Sequence, residues 1–167
     1  MRYCTAPWRQ TYVKNSLKQK KCIFCQARKN KNDEEALILY RGQHNFVIIN
    51  RFPYTTGHLM IAPHRHLADF ALAPREVVQE STELIQLVLR ILKKCYRPYG
   101  FNIGMNLGQP AGAGVAGHFH IHVVPRWPGD SNFMPIIGET RVFCEDLKTT
   151  YLRLRPYFAR EEKRQEK

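Results

Sequence analysis

The chain has 167 residues, with 26 Lys and Arg against 14 Asp and Glu for a formal net charge of +12, a length that suits one domain with its own core and excludes a multidomain machine. The charge sits at the ends: Met1 to Asn32 holds nine basic residues and no acidic one, Arg153 to Lys167 holds six basic and three acidic, and Asp33 to Leu152 holds 11 of each. No run approaches the ~18 apolar residues of a membrane span and the N-terminus lacks the apolar stretch of a signal peptide, so a cytoplasmic protein with no membrane partner is expected.

Met1 to Asn32 is basic and without clear periodicity, with Trp8 and Tyr12 as large anchors, and reads as an extension that wraps the domain or is partly mobile. Short apolar runs follow at Ala36 to Tyr40, His44 to Asn50 and His58 to Pro63, each of strand length, with turn residues at Arg41-Gly42 and Pro53 to Gly57 between them. Pro74 opens a helix to about Tyr96 whose inner face carries Val77, Ser81, Leu84, Ile85, Val88, Leu89 and Leu92. Pro98-Tyr99-Gly100 ends it. Phe101 to Leu107 reads as a strand, Gly108 to Gly117 as a glycine-rich loop, and His118 to Pro125 as a strictly alternating strand. Cys144 to about Arg164 is predicted helical, with Pro156 expected to kink or break it. The result is an α+β domain, a mostly antiparallel sheet of about five strands with one main helix and a C-terminal helix. The expected organisation is an extension over 1–32, a domain over 33–152 and a charged helix end or tail over 153–167.

The stretch His118-Phe119-His120-Ile121-His122 carries the chemistry. Side chains alternate along extended chain, so the three histidines share one face and Phe119, Ile121 and Val123 the other, with the outer histidines roughly 13 Å apart at ~3.3 Å per residue. Imidazole can bind metal, move protons, or attack phosphorus as a neutral nucleophile. The preceding loop, Asn106 to Val115, offers backbone N–H groups without bulky side chains, which suits phosphate oxygens. Independently, Cys22 and Cys25 have the spacing of a zinc-binding or a redox pair. Five cysteines (Cys4, Cys22, Cys25, Cys95, Cys144) do not suggest a disulfide framework.

His118 to Val124 resembles the His-φ-His-φ-His-φ-φ signature of the histidine triad (HIT) nucleotide hydrolases and transferases, and Asn50 to Pro63 resembles that family's upstream block. The resemblance covers roughly Cys22 to Arg141. Within the family the chain is most similar to the bacterial branch related to diadenosine tetraphosphate phosphorylases, through Gly57-His58-Leu59-Met60, Met105 to Gly108 and the run from Val124 to Asp130 with Asn132 and Phe133. The resemblance implies that His120 is the nucleophile that takes a nucleotidyl group from the α-phosphorus, that His122 contacts phosphate oxygens and assists the leaving group, and that His58 is the additional histidine beside the triad. It implies Asn50 on the ribose hydroxyls, with a turn cap as the competing reading, and Asn106, Ala113 and Gly114 at the phosphates. It further implies a structural zinc held by Cys22, Cys25, His66 and His118, with His64 as a competing ligand, and a homodimer. One departure stands out: relatives often carry a hydroxyl or amide side chain at the loop position of Ala113 or Gly114, where this chain has only backbone.

The expected function is cleavage of dinucleoside polyphosphates, diadenosine tetraphosphate in particular, through a nucleotidyl-histidine, with inorganic phosphate giving ADP and ATP. A diadenosine polyphosphate hydrolase and a nucleoside phosphoramidase are alternatives on the same fold, and a zinc-stabilised nucleotide- or RNA-binding adaptor is one from another class. The neutral middle carries no basic stripe and no nucleic-acid motif, so the charged ends are read as solvated surface. Their alternative role is to reach a dinucleotide's polyphosphate, or its second base through Trp8 or Trp127.

Overall fold

The computed structural model describes residues 21–130 and 145–165. The readings that fall on Cys4, Trp8, Tyr12, Asn132, Phe133 and Cys144 lie outside them. In chain order the elements are helices α1 (Ile23–Lys29) and α2 (Asp33–Ala36), strands β1 (Ile38–Arg41), β2 (Asn45–Ile49) and β3 (Leu59–Pro63), helix α3 (Arg75–Tyr96), strands β4 (Gly100–Gly104) and β5 (Ile121–Arg126), and helix α4 (Leu147–Gln165). The five strands form one antiparallel sheet in the order β1-β2-β3-β5-β4, the expected α+β arrangement with one main and one C-terminal helix. Among the described residues no helix is long and apolar enough to cross a membrane.

Strand alternation sorts the core into two layers. Val47, Ile49, Leu59, Ile61, Ile121 and Val123 pack under α3 and α4, against Leu84, Val88, Ile91 and Leu92 of the first and Tyr151, Leu154 and Phe158 of the second. Phe46, Ile48, Met60 and Ala62 point the other way and are covered by Phe24 of α1 with Ala36 of α2. His122 lies opposite Met60 in the β3–β5 ladder and so belongs to this second face. The helix-covered face is the foundation, and the opposite face carries the site.

Several elements differ from the sequence expectation for identifiable reasons. Residues 23–29 are helical where an irregular extension was expected, and residues 33–36 form a short helix where no element was expected ahead of the run from Ala36. Asn32 caps α2, its Oδ1 accepting from the Glu34 and Glu35 N–H groups, and Ala36 thereby joins a helix instead of β1. β4 stops at Gly104, short of Leu107. In α3 the buried face includes Leu87 and Ile91 while Ile85 and Leu89 are half-buried, because α4 as well as the sheet packs on this helix and widens the covered arc. Pro156 does not end α4, which continues through it to Gln165. The carbonyl it leaves without a partner is that of Leu152, which is 55% exposed, and water can satisfy it there.

The β1–β2 hairpin is fastened to α3 by one carboxylate. Glu80 accepts from the Gln43, His44 and Asn45 N–H groups at 2.6–2.8 Å and from Asn45 Nδ2 at 2.9 Å. A methyl at Gly42 would lie 2.5 Å from Glu80 Oε1, so the turn approaches too closely for any side chain. Glu80→Ala leaves three backbone N–H groups without an acceptor, while Asn45 Nδ2 keeps the Val77 carbonyl, and is expected to lower the unfolding free energy by about 2 kcal/mol, read from chemical denaturation.

Candidate active site

The β3–β5 ladder runs only from Leu59↔Val123 to Ile61↔Ile121, so of the three histidines His122 alone lies in the strand. The expected strand over His118 to Pro125 begins three residues late because its next partners are spoken for. The Phe119 N–H donates to the Leu67 carbonyl at 2.7 Å, and the Pro63 carbonyl accepts from His118 Nε2 at 2.9 Å. Side-chain parity persists through this extended stretch nonetheless. The His120 and His122 rings lie 4.8 Å apart, and the Phe24 ring of α1 lies 5.1 Å from His118 and 4.7 Å from His120. Phe119 faces away, edge-on to Phe70.

Backbone partners assign the tautomer of each imidazole. His120 Nδ1 lies 3.0 Å from the His118 carbonyl, which can only accept, so Nδ1 carries the proton and Nε2 holds a free lone pair. The Tyr54 N–H donates to His58 Nδ1 at 3.1 Å, so the His58 proton is on Nε2, and this nitrogen is 2.9 Å from His122 Nδ1. His122 therefore accepts at Nδ1 and presents an N–H at Nε2. The order is acceptor at His120, donor at His122. Gly57, at φ 75°, turns the chain so that this 50–57 loop doubles back on His58. Burial holds all three triad histidines neutral: it pushes His118 and His122 down to about 4, with the neighbouring His120 adding to the effect on His122, and it lowers His120, against the hydrogen bond to the His118 carbonyl.

His118 shares the face but aims its lone pair at other partners. With Nε2–H bonded to Pro63, its Nδ1 is free and sits 3.3 Å from Cys22 Sγ and 3.7 Å from Cys25 Sγ, while His66 Nδ1 is 3.3 Å from Cys25 Sγ. The four ligand atoms all lie within 4.8 Å of one another. The three separations of 3.3–3.7 Å match the edges of a tetrahedron with bonds of about 2.0–2.3 Å, and the Pro63 carbonyl supplies the outer hydrogen bond that orients a ligating histidine. Burial pushes the Cys22 thiol up, so this sulfur stays protonated until a cation binds. The residues fit zinc. His64 takes no part: its Nε2 donates to the Gly42 carbonyl at 2.9 Å and its ring stacks on Phe46.

The other candidates are placed more loosely. Asn50 ends β2 with its Oδ1 accepting from the Phe52 N–H at 2.9 Å, the turn cap weighed above, and its Nδ2 lies 3.3 Å from His58 Nδ1. Asn106 Nδ2 donates to the Gly112 carbonyl at 3.4 Å and braces the glycine-rich loop, in which Ala113 is buried and its N–H bonded to the Gly108 carbonyl. Trp127 is half-buried beyond the end of β5, in a turn where Asp130 accepts both from the Trp127 N–H and, through both carboxylate oxygens, from Arg126.

Residues 31–129 match the model of the HIT domain family. The chain belongs to the HIT family. It is 40% identical over 130 residues to the AP-4-A phosphorylase of Mycobacterium tuberculosis, covering 78% of this chain and 67% of that protein. A zinc-bound histidine triad protein from Mycobacterium smegmatis superposes with a TM-score of 0.67 at 27% identity, over 89% of this chain and 98% of the other. An adenylylsulfatase of Arabidopsis thaliana is 30% identical over 114 residues, 68% of this chain and 56% of its own length. The chain is thus a HIT-family enzyme, one of the family's nucleotide hydrolases and transferases.

Around this HIT site stand groups that the sequence reading did not single out. Phe24 lies between the two cysteines in sequence and between two histidines in space. Tyr54 contributes its backbone N–H to His58, and its ring lies 4.9 Å from His58 and 6.1 Å from His122. The Thr55 hydroxyl donates to the Pro125 carbonyl at 2.9 Å and ties this loop to β5. The tyrosine and threonine fall in the upstream block that carries the family resemblance, which was a usable signal. For Phe24 the signal was an apolar residue inside a metal-type cysteine spacing.

Proposed function

We propose that this chain is a nucleotidyl transferase that cleaves dinucleoside polyphosphates such as diadenosine tetraphosphate through a nucleotide held covalently on His120, and that inorganic phosphate discharges it. The observation that carries this reading is the pair of tautomers: a lone pair free at His120 Nε2 beside an N–H at His122 Nε2. His120 Nε2 attacks the α-phosphorus, the bond to the bridging oxygen breaks, and ATP leaves with its new terminal oxygen bonded to the His122 N–H. A phosphate oxygen then attacks the same phosphorus, the P–N bond breaks, and ADP departs as Nε2 recovers its lone pair. His58 holds His122 in the donor form. Ala113 and Gly114 supply no polar side chain, so help to the leaving group falls to His122 and to backbone amides of the loop. The name and similarity of the mycobacterial phosphorylase support phosphate as the acceptor.

Turnover of diadenosine tetraphosphate with and without phosphate tests the reading. Phosphate-dependent ADP and ATP is the expected result, whereas AMP and ATP without phosphate indicates a hydrolase, cleavage of P–N substrates alone a phosphoramidase, and tight binding without turnover an adaptor. Attack requires neutral His120, and burial lowers its pKa from the ordinary 6.5. The acid limb of kcat/KM is therefore expected below pH 6.5, with full rate retained at neutrality, and a limb above pH 7 contradicts the assignment.

Zinc is assigned to Cys22, Cys25, His66 and His118, where a four-ligand set leaves no coordination position for water and the metal is structural. The zinc-bound relative supports it. A homodimer is also part of the proposal, pairing along the free edge of β4, where Ile103 is 45% and the adjoining Tyr99 84% exposed. Ile103→Lys is expected to shift the sedimentation coefficient to that of a monomer.

A further inference from the structure

The hydrogen bonds that hold the backbone around the nucleophile are few. The ladder begins only at Ile121, so residues 118–120 are kept in place by the Phe119 N–H on Leu67 and the His118 N–H on Val115. Among the described residues the His120 imidazole is held by a single hydrogen bond, from Nδ1 to a carbonyl two residues back on its own chain. One bond fixes one atom. The plane of the ring, and with it the direction of Nε2, needs further contacts: the His122 ring stands edge-on at 4.8 Å, and the Phe24 ring packs against it at 4.7 Å and 40° while also covering His118 at 5.1 Å and 48°.

Phe24 is itself held from outside its helix. The seven residues of α1 are too few to stay helical alone. At one end Cys22 and Cys25 reach His118 and His66. At the other, Arg41 of β1 donates to the Arg28 and Asn30 carbonyls at 3.0 Å and is ion-paired with Asp33. The ring ends up 1% exposed against Phe46 and the two histidines. A helix pinned at both ends to carry one buried ring onto the nucleophile has a use beyond filling space.

We propose that Phe24 is a positioning residue for His120: its ring, seated by the Cys22–Cys25 turn, sets the plane of the imidazole so that Nδ1 stays on the His118 carbonyl and Nε2 points to phosphorus. The inference rests on the covalent-histidine reading above. Substrate need not touch Phe24, which acts through His120 alone, so losing its ring weakens the chemical step and leaves ground-state binding intact.

The test uses the full zinc-loaded chain and Phe24→Leu, which keeps apolar bulk and loses the flat ring. The expected result is a kcat lower by about ten- to a hundredfold with KM within about twofold of wild type and zinc content unchanged. Nitrogen-15 NMR of the histidine rings gives a readout that a merely structural role would not move. Wild-type His120 is expected as the single Nδ1–H form, and in Phe24→Leu its two nitrogens move toward averaged shifts while those of His58 stay put. Arg41→Ala, which removes the far pin of α1 together with the Asp33 ion pair, is expected to move both readouts the same way by less, and it serves where Phe24→Leu does not fold. Unchanged kcat and an unchanged His120 tautomer in the folded variants overturn the proposal. His120→Ala is assayed in parallel: if it turns over, the covalent reading fails, and if it is dead while Phe24→Leu matches wild type, only the role of Phe24 fails.

Discussion

His120→Ala is expected to cut turnover of dinucleoside polyphosphate by at least about 10⁴-fold while changing the dissociation constant for the nucleotide by less than about fivefold. The argument is one of bond making. In the proposed mechanism Nε2 is the atom that takes the nucleotidyl group, and no neighbour can replace it: His118 spends Nε2 on Pro63 and aims Nδ1 at the cysteines, His58 aims its N–H at His122, and His122 presents a proton where a nucleophile needs a lone pair. Removing a donor is a lesser matter than removing a nucleophile, so His122→Ala is expected to cost about 10²- to 10³-fold. Acid-quenched mass spectra should show one added nucleotidyl group on the wild-type chain and none on His120→Ala. A His120→Ala enzyme with more than about one per cent of the wild-type rate, or a nucleotide bound to another residue, sinks the mechanism.

The position of His120, the proposed nucleophile, on one face with His122 was legible in the sequence through parity, and parity turned out to be more robust than the strand that was supposed to supply it. His118 and His120 lie outside the β3–β5 ladder, yet extended backbone keeps alternate side chains on one side whether or not its N–H groups pair with a neighbouring strand. The Cys22, Cys25, His66 and His118 cluster was half legible: the Cys22–Cys25 spacing is local, but the choice of His66 over His64 came from the resemblance, and the physical reason is that His64 is engaged by Gly42 and Phe46. The tautomers were not legible at all. They are dictated by the Tyr54 N–H and by the Pro63 and His118 carbonyls, backbone groups that every residue type possesses. Helix α1 was missed because tertiary pins stabilise it, with two cysteines at one end and Arg41 at the other, and no periodic apolar face announces it. Pro156 does not break α4 for the opposite reason: the residue whose carbonyl it orphans, Leu152, is exposed, which a local rule does not show.

Stripping zinc from the folded protein with a chelator is expected to lower its stability by about 4 kcal/mol, seen as a fall in Tm of roughly 10 °C. The four ligands join distant parts of the chain: Cys22 to His118 spans 96 positions and Cys25 to His66 spans 41. Cross-linking loops of that length removes several kcal/mol of conformational freedom from the unfolded chain. The loss should be partial, because the layer beneath α3 and α4 contains none of these residues. What loosens is the second layer, where Phe24 covers Phe46, Ile48 and Met60, so protease is expected to cut near Lys29 in the stripped protein and to spare it when zinc is restored. Cys22→Ser should reproduce the fall in Tm, and chelator added to that variant should change little more, since both act on one site and their effects are not additive. A stripped protein that melts within about 2 °C of the loaded one, or a variant that loses a further 10 °C on chelation, means that the cluster does not tie α1 to the catalytic strand.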